Sequence, residues 1–69
     1  MNTQYLRMET KQLLNSIDSE RVFTSIKKHG AVDIHHKGKL FIIFQLADGS
    51  LAENIYIELP SGGLSCISD

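Results

Sequence analysis

The sequence predicts an α+β fold in which one or two N-terminal helices pack on an antiparallel β-meander of three strands, or four if the C-terminal segment joins the sheet. Three observations carry this prediction. Residues 1–29 contain no Gly or Pro and are rich in Leu, Lys, Gln, Glu, Arg and Met, which lose little rotamer freedom in a helix. After Gly30 the hydrophobic period changes from that of a helix to the alternation of a strand. Two glycine-containing turn signals, Lys37-Gly38 and Asp48-Gly49, then divide the alternating segment.

Residues 3–29 form the helical part. Leu6, Leu13, Leu14 and Ile17 fall on one helical stripe, whereas Val22, Phe23 and Ile26 fall on nearly the opposite one. One straight helix cannot turn both stripes toward one core, so a break is expected at Asp18-Ser19, where either side chain can cap a new helix. Tyr5 and Met8 share the second stripe, and they leave one long two-striped helix as the alternative. Lys27, Lys28 and His29 suit a helix C-terminus, and Gly30 suits the residue just beyond it.

Residues 31–59 form the meander. Val32 and Ile34 alternate with Asp33 and His35, and the Lys37-Gly38 turn follows. Residues 40–46 carry apolar side chains on both faces: Leu40, Ile42, Phe44 and Leu46 on one, Phe41 and Ile43 on the other. This is the central strand, with the Leu40 set expected to face the main core. Beyond Asp48-Gly49, Ile55, Ile57 and Leu59 alternate with Asn54, Tyr56 and Glu58 until Pro60, which has no N–H for a ladder. Residues 60–69 read as a tail or a short fourth strand.

At 69 residues the chain is sized for one small core, which leaves such a scaffold only roughly 3 to 5 kcal/mol of stability and makes association a natural supplement. Its 42% hydrophobic and 22% charged residues exclude a disordered class. Residues 1–11 are polar and lack the apolar stretch of a signal peptide, and no apolar run reaches membrane-spanning length. A cytoplasmic location and no membrane partner are therefore expected, and the single Cys66 fits a reducing compartment. The charges are segregated: residues 1–39 hold every Lys and Arg for a balance of +3, while residues 40–69 hold only acids for a balance of −4.

No catalytic, metal or cofactor site is expected. His29, His35 and His36 with Asp33 are the only candidate metal ligands, and adjacent strand residues His35 and His36 point to opposite faces. No nucleophile motif or phosphate-binding loop is present, so an enzyme is the least favoured class. The leading expectation is a non-enzymatic protein-binding or regulatory domain that binds another protein or itself, as a homodimer, through an apolar sheet face of Phe41, Ile43 and Tyr56. The alternative is a nucleic-acid-binding regulator using Lys27, Lys28, His35, Lys37 and Lys39, because phosphate backbones are common partners of basic patches.

Overall fold

The computed structural model describes residues 3–67, so Asp69, counted above in the acidic half, lies outside the described residues. Two helices, Met8–Ser16 (α1) and Ser19–His29 (α2), precede four strands, Ala31–His36 (β1), Lys39–Gln45 (β2), Leu51–Glu58 (β3) and Leu64–Cys66 (β4). The strands form one antiparallel sheet in the order β1-β2-β3-β4. The C-terminal segment thus does join the meander, as its fourth strand.

The helical break falls where the opposed stripes require it. Ile17 is extended, and the Asp18 side chain accepts a hydrogen bond from the Arg21 backbone N–H at 3.3 Å. This re-phases the two stripes, so that α1 and α2 both bury against the same side of the sheet. At the far end of α2, Gly30 is left-handed and its N–H donates to the Ile26 carbonyl at 2.7 Å.

Helix α1 starts at Met8 rather than at residue 3, and Tyr5 and Met8 are exposed. Its start is set by a strand residue. The Arg7 N–H donates to Glu53 Oε1 at 2.6 Å, and the buried Thr10 hydroxyl donates to Glu53 Oε2. A carboxylate from β3 therefore caps α1, satisfying exposed donors and placing negative charge at the positive end of the helix dipole. Propensity alone could not place that start, because the cap lies 46 residues away in sequence.

The face of β2 that meets the helices is the reverse of the expected one. Phe41 and Ile43 are 1% and 0% exposed, packed in two adjoining clusters with Leu6, Leu14, Ile26 and Leu51, and with Leu13 and Ile55. Turn arithmetic decides this. Lys37 and Gly38, with φ of 50° and 75°, form a two-residue loop of the primed type, so His36 pairs with Lys39, Ile34 with Phe41 and Val32 with Ile43. Because β1 alternates Val32 and Ile34 with Asp33 and His35, its apolar side must go inward and carries Phe41 and Ile43 with it.

The next two connections are built alike, each as a three-residue loop ending in a left-handed glycine. In the first, Leu46 N–H donates to the Ser50 carbonyl (2.8 Å) and Gly49 N–H to the Leu46 carbonyl (3.0 Å) around Ala47, Asp48 and Gly49, φ 89°. In the second, Leu59 N–H donates to the Gly63 carbonyl (2.8 Å) and Gly62 N–H to the Leu59 carbonyl (2.9 Å) around Pro60, Ser61 and Gly62, φ 90°. Each is a tight turn followed by a glycine bulge. Pro60 opens such a turn, where its fixed φ fits, and the ladder resumes beyond it.

Candidate protein interface

With both helices on one side, the other side of the sheet carries no helix among the described residues. The register arranges its side chains in cross-strand rows: His35, Leu40, Tyr56 and Cys66; then Asp33, Ile42 and Asn54; then Ala31, Phe44 and Ala52. Glu58 and Leu64 form a further pair at one end. Leu40 is 8% exposed, flanked in its row by His35 and Tyr56, while Ile42, Phe44 and Tyr56 are half-buried and Leu64 is exposed. Phe44 stands between two alanines, which makes its ring a ridge with a shallow hollow on each side.

The charges on this face are few. His35 Nδ1 lies 3.1 Å from Glu58 Oε1, and Asp33 is the remaining acid in the rows. From the strand spacing and rise, the face measures about 23 Å along β2 and about 19 Å across, or roughly 400 Å². That footprint takes in Asp33, His35, Asn54 and Glu58 as well as the apolar side chains.

Of the residues expected to form an interface, only Tyr56 lies on this face. Phe41 and Ile43 are buried beneath the helices, so the apolar surface that β2 leaves partly open is that of Ile42 and Phe44, with Leu40 on the same face but largely covered by its neighbours. Tyr56 pairs with Leu40, and Phe41 with Ile55, so the expected trio spans both faces of the sheet. The signal that separates them was present in the sequence as the length of the Lys37-Gly38 loop, read together with the polar residues of β1.

The basic residues do not form one patch. Lys27 and Lys28 lie in the last turn of α2, where β1 begins, whereas Lys37 and Lys39 lie at the other end of that strand. Its six residues separate the two groups by about 20 Å. Lys39 Nζ is held by Glu9 at 2.8 Å and 3.2 Å, and His35 by Glu58 on the helix-free face. His35 and His36 fall on opposite faces, and no group of three or more His, Cys, Asp or Glu side chains is gathered for a metal among the described residues. Among those residues no helix is long and apolar enough to cross a membrane.

The fold and this surface define a class: a helix pair on one side of a four-stranded meander, with an apolar sheet face on the other. In comparison with known proteins, no family model, curated protein or solved structure matches the chain.

Proposed function

We propose that this protein is a non-enzymatic binding domain that works through the helix-free face of its sheet, and that the occupant of that face is a second copy of the chain. The observation that carries this reading is that Ile42 and Phe44, both half-buried, stand side by side along β2 on a face that no helix of the described residues covers. Such a surface is costly to leave in water, at about 25 cal/mol per Å² of apolar area.

A second copy fits in polarity. Face-to-face pairing would bury roughly 800 Å² in total, below the roughly 1,200 to 2,000 Å² of standard specific interfaces, so the dimer is expected to be weak. A two-fold axis running along β2 would stack the Ile42 and Phe44 rows on their own copies. The same axis would bring Asp33 to the second copy's Asn54 and His35 to its Tyr56, so that no like charges meet.

Sedimentation across a concentration series tests this. The unmodified protein should shift from monomer to dimer in the high micromolar range, and Phe44→Lys should remain a folded monomer throughout. A monomer at all these concentrations for both proteins would refute the second copy as occupant. Nucleic-acid binding is the less supported reading, because the structure divides the basic residues between two ends of β1.

A further inference from the structure

The Asp48-Gly49 peptide carries a reactivity that neither the fold nor the interface uses. Asp48 is the only Asp or Asn in the sequence that a glycine follows. Glycine has no side chain to shield its amide nitrogen, so that nitrogen can approach a neighbouring carboxyl closely. Asp48 is exposed and Gly49 is half-buried, which leaves both within reach of water.

Hydrogen bonds hold the two reacting groups away from each other. The Asp48 carboxylate accepts from the Ser50 backbone N–H at 3.0 Å and from the Ser50 hydroxyl. The Gly49 N–H donates to the Leu46 carbonyl at 3.0 Å, and the Gly49 carbonyl accepts from Gln45 Nε2 at 3.3 Å. The electrophile is thus turned forward to residue 50 and the nucleophile back to residue 46. Ser50 is only 2% exposed, so this clasp is anchored in the fold.

We propose that Asp48-Gly49 is a site of spontaneous self-modification, which isomerises to isoaspartate when its loop opens, and that Ser50 suppresses the reaction while the loop is closed. The Gly49 nitrogen gives up its proton and attacks Cγ of Asp48. A C–N bond closes a five-membered imide, and one carboxyl oxygen leaves as water. Water then opens the imide, either at Cγ, which restores aspartate, or at the main-chain carbonyl, which leaves the chain running through the side-chain carbon. The oxygen leaves as water from the protonated carboxyl, and the Ser50 bonds hold Asp48 below its ordinary value of 3.8, which adds to the protection.

The consequence falls on the sheet. Isoaspartate adds one methylene to the backbone of a loop whose length sets the register of β3, and it turns the carboxyl carbon that Ser50 holds into main chain. The matching loop of Pro60, Ser61 and Gly62 has the same backbone bonds but a serine in the aspartate position, so it offers no such carboxyl.

The test is to incubate at neutral pH the unmodified protein, Ser50→Ala, Gly62→Ala and a free peptide of residues 44–54. Isoaspartate at position 48 is then measured by fragmentation mass spectrometry that separates the two isomers. The peptide should convert at least roughly tenfold faster than the folded protein, whose loop must first give up hydrogen bonds to a carboxylate. Ser50→Ala should convert at least roughly threefold faster than the unmodified protein. Gly62→Ala weakens the other loop and should convert at the unmodified rate, because the opening is local. A peptide that does not convert, or a folded protein that converts as fast as the peptide, would overturn the proposal. So would Ser50→Ala if it matched the unmodified protein, or if Gly62→Ala accelerated the reaction equally.

Discussion

Phe41 and Phe44 are three positions apart on one strand and face opposite ways, so identical truncations should have unequal costs. Phe41→Ala removes a fully buried ring and should cost about 3 to 5 kcal/mol, enough to unfold a domain of this size. Phe44→Ala, on the helix-free face, should cost about 1 kcal/mol or less in the monomer. Denaturant melts of the two variants at low concentration check this ordering, and equal losses would contradict the register. Glu53 is a second decisive residue, because its carboxylate answers both the Arg7 N–H and the buried Thr10 hydroxyl. Glu53→Ala should cost about 2 kcal/mol or more, whereas Thr10→Val combined with it should cost less than the two separate losses added together, since the buried hydroxyl is no longer left unmet. A double-mutant cycle measures that coupling.

Asp48 sets the acid behaviour of its loop. Its carboxyl is held below the ordinary value of 3.8, first by the Ser50 hydroxyl and then by the Ser50 backbone N–H at 3.0 Å. A depressed folded value means a contribution that is complete above the unfolded value and lost as pH falls through the folded one. The difference in melting temperature between the unmodified protein and Asp48→Asn should therefore be flat at neutral pH and should shrink below pH 3.8. A difference that does not change with pH would contradict this.

At the scale of elements, the loops govern which side chains are buried. The Asp48-Gly49 signal correctly marks a hairpin, but a two-residue loop at those positions would pair Ala47 with Ser50 and shift β3 by one residue. That shift would turn Leu51 and Ile55 outward. The third loop residue and the bulge at Gly49 keep both in the core, with Gln45 opposite Leu51. Gly49→Ala and Gly62→Ala place a side chain at φ 89° and 90°, in the open but left-handed, and each should cost about 1 kcal/mol. If the glycines served only as spacers, both variants would melt like the unmodified protein.

At the scale of the whole molecule, two short helices form a single layer on one side of the sheet. If the bare face pairs with a second copy, dimerisation and folding are linked, and the melting temperature should rise with concentration. Phe44→Lys should abolish that rise. The sequence by itself determined a helical N-terminal segment with its expected break at Asp18-Ser19, the glycine cap at Gly30 and the antiparallel order of the first three strands, because each rests on contacts within a few residues of chain. One unbroken helix and a C-terminal tail stayed open until the structure closed them. Burial of the Phe41 face was also recoverable from local information, through the loop that pairs Ile34 with Phe41. Only the tertiary structure decided where α1 begins, because the Glu53 carboxylate that meets the Arg7 N–H comes from β3, far along the chain, and no local pattern brings the two together.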